Sequence, residues 1–129
     1  MSNRFVDDDR DYLHVYRAAE VLKKASLPER IMVDVSHANS GKNHENQPAV
    51  VADVCAQLAT GASPIMGVMI ESNLVAGRQD IVPGQALVYG QSVTDACVDW
   101  ETSVRMLDDL AVRVAERLIA GPIPEKIDG

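Results

Sequence analysis

The sequence contains few cysteines. Among its 129 residues there are two, Cys55 and Cys97, and they lie too far apart to form a C-x-x-C pair. The sequence therefore predicts neither a zinc knuckle nor a disulfide framework. This cysteine usage fits a reducing compartment, and we expect a cytoplasmic protein.

Basic residues are also scarce. Lys and Arg total 12 against 19 Asp and Glu, which gives a formal net charge of −7. Binding to nucleic acid depends on neutralising backbone phosphates with basic side chains. The charge balance therefore argues against DNA or RNA as a partner.

Long hydrophobic runs are missing as well. No stretch approaches the roughly 18 consecutive apolar residues that a membrane-spanning helix needs. The first residues include Asp7, Asp8 and Asp9 and do not resemble the basic and apolar start of a signal peptide. We expect neither secretion nor membrane insertion. Hydrophobic residues still make up 47% of the sequence, which is enough for the core of one domain.

The hydrophobic pattern predicts helices at about residues 12–25, 47–60 and 100–120, strands at 30–36 and 64–71, and a long connection over 72–99. The apolar stripes of the three helices are, in chain order, Val15, Ala18 and Leu22; Val50, Val51, Val54, Cys55 and Leu58; and Val104, Leu107, Ala111, Val114 and Leu118. Pro48 and Asp99 mark the expected starts of the second and third helices. The expected ends of the three helices are marked by Pro28, Gly61 and Gly121.

The two predicted strands share one design. Residues 31–36 read I-M-V-D-V-S and residues 65–71 read I-M-G-V-M-I-E, so both are nearly continuous apolar runs. Such runs are typical of parallel strands covered on both faces. With a helix between them, they predict a βαβ unit and an α/β fold.

Each predicted strand leads, at its carboxyl end, to a side chain able to bind a metal or move a proton. These are His37 and Glu71. Sites in α/β folds are built at that edge, and neighbouring strands lie about 5 Å apart, so the two side chains can converge on one ion. Asp95, in the following connection, is a candidate third ligand. An imidazole with carboxylates suits Mn, Fe, Co or Zn better than calcium.

Three segments carry a resemblance to a known family. Residues 34–42 (D-V-S-H-A-N-S-G-K), 67–74 (G-V-M-I-E-S-N-L) and 89–100 (Y-G-Q-S-V-T-D-A-C-V-D-W) resemble, in order and spacing, the C-terminal part of class I 3-deoxy-7-phosphoheptulonate synthase. The likeness runs from about residue 15 to 118. It implies part of a (β/α)8 barrel, the α-β-α-β-α portion around its seventh and eighth strands.

The resemblance also implies a reaction and a ligand set. Family members condense phosphoenolpyruvate with erythrose 4-phosphate and release phosphate, as the first step of the shikimate pathway to chorismate and the aromatic amino acids. His37, Glu71 and Asp95 match three of the family's four metal ligands, and His37 and Asp95 would take part in catalysis. The divalent ion would polarise the aldehyde of erythrose 4-phosphate. Lys42 and Arg78 lie where they could contact a substrate phosphate, although solvated surface charge is the competing interpretation.

The sequence departs from the family in one large respect. The family's fourth ligand is a cysteine near its first barrel strands, its phosphate-binding residues lie on the first six strands, and neither region has a counterpart here. A barrel of this kind needs about 250 residues. We therefore expect a single incomplete domain, inactive in isolation, that forms a homo-oligomer or associates with the missing barrel segment. The alternative is a non-catalytic remnant that self-associates, or that binds metal or a partner subunit.

Several other side chains have open interpretations. Asp34 fits either a carboxylate that supports the metal ligands or an ion-paired structural residue, and Cys97 is a candidate neighbour of the metal. Cys55 is expected in the core, and Trp100 is expected to pack the last helix against the preceding connection. His14 and His44 are expected to be ordinary surface residues.

Overall fold

The computed structural model describes residues 9–59 and 63–120, and the side chains of 14–59 and 63–119. It has an α/β fold with helices α1 (Asp9–Lys24), α2 (Gln47–Ala59) and α3 (Trp100–Ala120) and strands β1 (Ile31–Asp34) and β2 (Ile65–Met69). The predicted helix boundaries at Gly61 and Gly121 lie outside the described residues. No helix within the described ranges is long and apolar enough to cross a membrane.

The two strands form a parallel sheet, as the βαβ pattern predicts. Ile31 pairs with Ile65 and Asp34 with Met69, with one irregularity in register after Ile31. Both strands are shorter than predicted, so Glu71 lies two residues beyond the end of β2. Pairing nonetheless continues past β1, because the Val35 N–H donates to the Met69 carbonyl at 3.0 Å. The two chain segments therefore leave the sheet side by side.

The core lies between the sheet and the helices. Five residues of α2 line it as predicted, and Cys55 is one of them. Its buried members are Val35, Val50, Val51, Val54, Cys55, Leu58, Ile65, Val98 and Met106. Val33 and Val68 pack against this cluster from the sheet, which places α2 over one face of the βαβ unit.

The expectation that the strands are covered on both faces is wrong. Met32 is 61% exposed and Met66 is 62% exposed. Alternate side chains of a strand point to opposite faces, so the odd-numbered residues Val33 and Val35 meet the helices while Met32 does not. One face of the sheet is open among the residues that the structure describes.

The predicted packing face of α3 is also wrong. The helix packs on α2, but its buried or half-buried residues are Thr102, Ser103, Met106, Leu110 and Arg117, whereas the residues of the predicted stripe are exposed. Val114 and Leu118 of that stripe line a cavity with residues of α2 and β2. Trp100 is 62% exposed, and its packing against the preceding connection stays a prediction. On α1 the correction is small, since Ala19 rather than Ala18 is buried.

The connection over residues 72–99 is organised by irregular hydrogen bonds. Isolated bridges join Ser72 to Val98, Gly77 to Cys97 and Arg78 to Ser92. The Gln79 side-chain amide donates to the carbonyls of Val88 and Gln91 at 2.8 and 3.0 Å. Its oxygen accepts from the Val88 N–H at 2.9 Å. These bonds close the loop from Gln79 to Gln91. Such bonds follow no sequence period, which explains why the hydrophobic pattern predicts no element here.

Candidate metal centre

His37 lies in a tight turn directly after β1. The Asp34 carboxylate accepts hydrogen bonds from the N–H groups of Ser36 and His37 at 2.9 and 3.1 Å. The buried Ser40 hydroxyl donates to the Ser36 carbonyl and contacts the His37 carbonyl oxygen at 3.1 Å. The Lys42 N–H donates to the same His37 carbonyl at 2.8 Å. These bonds fix the conformation of the turn, and the conformation of the turn sets the direction of the His37 imidazole.

Glu71 is held by the first residue of α2. The side chain of Gln47, which is fully buried, accepts from the Glu71 N–H and donates to the Glu71 carbonyl, both at 3.1 Å. The Val98 N–H donates to the same carbonyl at 3.0 Å. The backbone of Glu71 is therefore fixed although it lies outside the strand.

Asp95 is brought to the site by the bridges of the connection. Gly77 and Cys97 exchange two backbone hydrogen bonds, at 2.8 and 3.1 Å, and the Asn73 N–H donates to the Val98 carbonyl at 3.0 Å. These bonds tie the segment after Asp95 to the segment after Glu71. The two carboxylates therefore approach the imidazole from the same side of the sheet's carboxyl edge.

The three side chains converge as the sequence predicts. His37 Nε2 lies 3.2 Å from Glu71 Oε1 and 3.6 Å from Asp95 Oδ2, and the three donor atoms all lie within 4.8 Å of one another. Two ligands each about 2.1 Å from one ion, at angles of about 90–110°, lie roughly 3.0–3.4 Å apart. The distance from His37 to Glu71 lies within this range and the distance from His37 to Asp95 is slightly longer, so the three side chains are candidate ligands of one ion.

Asp34 supports the imidazole from its other nitrogen. Asp34 Oδ2 lies 2.7 Å from His37 Nδ1. A ligating histidine commonly donates its second ring N–H to a carboxylate, which leaves Nε2 as the ligand atom. Of the two interpretations of Asp34, the hydrogen-bond geometry favours support of the imidazole.

The carboxylates shift the acid–base equilibria of this turn. The hydrogen bond and the charge of Asp34 raise the pKa of His37 above 6.5, and the charges of Glu71 and Asp95 add to this. Burial alone would raise the pKa of Asp34, but the hydrogen bonds from Ser36 N–H and from His37 outweigh it and lower that pKa. Three carboxylates thus surround one imidazole, and a cation bound among them would offset their charge.

All five predicted site residues line one cavity of about 210 Å³: His37, Glu71, Asp95, Lys42 and Arg78. The Arg78 guanidinium is held in place, since Nε donates to the Thr94 carbonyl at 2.8 Å and Nη2 lies 2.6 Å from Asp80 Oδ1. His44, predicted as an ordinary surface residue, lines this cavity too. A larger cavity of about 580 Å³ lies near the amino ends of the strands and contains none of the predicted site residues.

Cys97 lies close to the candidate ligand Asp95, and Gln47 has a role at the site that the sequence does not reveal. Cys97 Sγ lies 3.5 Å from the backbone carbonyl of Asp95, and burial raises the pKa of its thiol, which disfavours the thiolate that binds metals. Sequence reasoning assigned Gln47 only to the start of a helix. A glutamine ahead of a proline and an apolar helix is a weak signal, and nothing in the sequence links it to a backbone 24 residues away.

Comparisons with known proteins identify relatives of this chain. The model of the DAHP synthetase I family matches residues 3–108. The tyrosine-inhibited phospho-2-dehydro-3-deoxyheptonate aldolase of Schizosaccharomyces pombe is 53% identical over 111 residues, 83% of this chain and 30% of that protein. The Phe-sensitive enzyme of Escherichia coli K12 is 49% identical over 104 residues, 81% of this chain and 30% of that protein.

A solved structure shows the same likeness in three dimensions. The phospho-2-dehydro-3-deoxyheptonate aldolase of Francisella tularensis SCHU S4 matches with a TM-score of 0.75 and 52% identity, over 81% of this chain and 30% of that one. The chain thus spans about 30% of the length of the relatives it matches. With a family model matched over most of its residues, this chain belongs to the DAHP synthetase I family.

Proposed function

We propose that this chain is the C-terminal segment of a 3-deoxy-7-phosphoheptulonate synthase and supplies three of the enzyme's metal ligands. In this proposal β1 and β2 are the last two strands of a (β/α)8 barrel. The observation that carries it is the convergence of His37, Glu71 and Asp95 within 4.8 Å, on segments that match the family. The ion is of the Mn, Fe, Co or Zn type, as the nitrogen and oxygen donors favour.

The residues of the site have distinct roles in this proposal. His37, Glu71 and Asp95 would hold a divalent ion, which would supply Lewis acidity toward the aldehyde of erythrose 4-phosphate for its condensation with phosphoenolpyruvate. His37 presents Nε2 because its Nδ1–H donates a hydrogen bond to Asp34 Oδ2. Asp95, whose side chain is 70% exposed, is accessible to a substrate hydroxyl as well as to the ion.

Lys42 and Arg78 are the proposed contacts to substrate phosphate. Both line the cavity of the metal ligands, and a fixed guanidinium suits the geometry of a phosphate. The Thr94 carbonyl and Asp80 hold Arg78 in the cavity wall. The position of both residues in the cavity wall supports a binding role.

The complete reaction is proposed for an assembly larger than this chain. The relatives are more than three times as long as the segment they share with it. We propose that the remaining barrel segment supplies the other ligand and most of the phosphate contacts, that the assembly is cytoplasmic, and that this chain alone binds the ion without catalysing the condensation.

Titration of the purified chain with Mn²⁺, followed by calorimetry and by electron paramagnetic resonance, tests the proposal. We expect one ion per chain. His37→Ala and Glu71→Ala should each weaken binding by roughly tenfold or more, because each removes a ligand. His14→Ala, a change at an exposed histidine that does not line the metal cavity, is the matched control and should leave the affinity unchanged.

Phosphate release from phosphoenolpyruvate with erythrose 4-phosphate and Mn²⁺ tests the proposal that this chain alone does not catalyse the condensation. The chain alone should give none. Equal Mn²⁺ affinity in wild type and His37→Ala would contradict the ligand assignment. Turnover by the chain alone that His37→Ala abolishes would contradict the need for a larger assembly.

A further inference from the structure

We infer that Arg78 is a positioning residue for the metal ligand Asp95. Its guanidinium holds the backbone next to Asp95 and so sets where that carboxylate lies. This role precedes any contact of Arg78 with a substrate phosphate, because the ligand has to be in place when the ion binds. Since Asp95 is a ligand only in the proposed metal site, the role of Arg78 rests on the proposed function.

Asp95 has the least support of the three candidate ligands. Its side chain is 70% exposed, against 46% for His37 and 24% for Glu71. Hydrogen bonds fix the turn that carries His37, and buried Gln47 holds the backbone of Glu71. Asp95 lies instead in the irregular connection before α3. An exposed side chain on such a segment stays in place only if the neighbouring backbone is held.

Backbone hydrogen bonds hold the connection on either side of Asp95. On the amino-terminal side, the Gln79 N–H donates to the Ser92 carbonyl at 2.8 Å. On the carboxyl-terminal side, Gly77 and Cys97 exchange two bonds at 2.8 and 3.1 Å. The backbone between these two anchors carries the ligand, so a bond made within this interval has the most direct effect on the Asp95 carboxylate.

Arg78 makes such a bond, to the peptide group that leads into Asp95. Its Nε donates to the Thr94 carbonyl at 2.8 Å. That carbonyl belongs to the planar peptide unit joining Thr94 to Asp95, so the bond orients the backbone directly at the ligand. The guanidinium is anchored a second time, because Nη2 lies 2.6 Å from Asp80 Oδ1. A planar group held at two points is a defined support for the Thr94 carbonyl.

The charge of Arg78 and its positioning role have opposite effects on metal binding. Arg78 lines the same cavity as the metal ligands, and a positive charge there opposes the binding of a cation. Loss of the charge alone would therefore strengthen Mn²⁺ binding. Loss of the support would weaken Mn²⁺ binding, because Asp95 would no longer be held near the other ligands. The direction of the change distinguishes the two effects.

Calorimetric titration of the full chain with Mn²⁺ in a phosphate-free buffer tests the inference. We expect Arg78→Met, which keeps a long side chain without donors, to weaken binding roughly tenfold. Arg78→Lys keeps the charge but not the planar fork and should recover only part of the affinity. Arg113→Met is the matched control and should leave the affinity unchanged. Arg113 is 44% exposed against 48% for Arg78, and its Nη1 lies 2.9 Å from Glu116 Oε2 on α3.

A double variant separates positioning of Asp95 from general destabilisation. If Arg78 acts through Asp95, Arg78→Met should cause no further loss of Mn²⁺ affinity in the Asp95→Ala variant, since the group that it positions is gone. A further tenfold loss in that variant, or unchanged or stronger binding in Arg78→Met alone, would overturn the inference and leave the metal site standing. Equal Mn²⁺ affinity in wild type and His37→Ala would instead contradict the proposed function, and the role of Arg78 with it.

Discussion

A histidine binds a metal well only while its ring is held in one orientation and one tautomer. In this chain the holding group is the last residue of β1, since Asp34 Oδ2 lies 2.7 Å from His37 Nδ1. The other oxygen of the same carboxylate accepts from the backbone N–H groups of Ser36 and His37. One partly exposed aspartate thus positions both the ring and the turn that carries it.

Removal of the Asp34 carboxylate should weaken metal binding without removing a ligand. We expect Asp34→Ala to lower Mn²⁺ affinity roughly 10–100-fold, the usual effect of losing a hydrogen-bond partner of a ligating histidine. Asp34→Asn keeps an acceptor oxygen and should fall between Ala and wild type. Calorimetric titration gives the affinities, with Asp109→Asn on α3 as the control. Wild-type affinity in Asp34→Ala would show that the ring needs no such support.

Gln47 should matter to the metal although it lies outside the ligand set. Gln47→Leu removes both hydrogen bonds to the Glu71 backbone and leaves a half-buried N–H without this acceptor, at a cost of about 1–3 kcal/mol in the free energy of unfolding. We expect weaker Mn²⁺ binding as well, because Glu71 loses its fixed position. Urea unfolding and calorimetry measure the two effects.

The control for this change lies on the same helix. Gln57 is also buried, and its amide donates to Asp53 at 3.1 Å, far along α2 from the site. Gln57→Leu is expected to affect stability but not Mn²⁺ affinity. Equal loss of affinity in both variants would mean that the effect of Gln47 arises from general destabilisation of α2.

At the scale of elements, α3 begins with a side-chain cap. Asp99 Oδ1 accepts a hydrogen bond from the Thr102 N–H at 2.8 Å, which confirms Asp99 as the predicted N-cap. The hydrogen bonds with the Thr102 side chain and backbone lower the pKa of Asp99 from 3.8. The ionised form is thus preferred in the folded chain.

The lowered pKa gives the cap a predictable pH dependence. A carboxyl whose pKa is lower in the folded than in the unfolded state contributes stability fully above the unfolded value of 3.8, and the contribution is lost as pH falls through the lower folded value. The stability difference between wild type and Asp99→Asn should therefore be constant from pH 7 to about pH 5 and shrink toward pH 3. Urea unfolding at each pH measures it. A difference independent of pH would contradict the charge effect, and Asp99→Ala serves as the variant without a cap.

The same elements show what the sequence predicts and what it cannot. The α2 stripe was predicted correctly because a helix between two parallel strands has one place to pack, over the sheet. The stripe of α3 was recognised, but its burial was not predicted correctly, since periodicity indicates that a face is apolar without indicating what covers it.

The candidate site was predictable for a different reason. His37 and Glu71 follow apolar strands, and the carboxyl ends of parallel strands meet at one edge. The means by which they are held was not predictable, because Gln47 reaches Glu71 across 24 residues and the connection over 72–99 is fixed by side-chain amides and isolated bridges. Bonds of this kind depend on the folded geometry and leave no periodic signal.

At the scale of the whole molecule, the described residues form a sheet of two strands with one open face. Open strand edges favour pairing with further strands. The relatives that match this chain are each covered over 30% of their length, and in the proposed barrel the remaining length would supply those strands. The metal cavity lies at the carboxyl edge of the same sheet, so the site and the open sheet would be completed together.

Assembly with the rest of a relative should therefore restore the reaction. The test is to co-express this chain with the part of the Phe-sensitive Escherichia coli enzyme that precedes the matched segment. We expect phosphate release from the co-expressed pair and none from either polypeptide alone. His37→Ala should abolish the restored activity because it removes a metal ligand, whereas Val112→Glu should not. A stable complex that binds Mn²⁺ yet releases no phosphate would contradict a catalytic role for this chain and identify it as a metal-binding remnant.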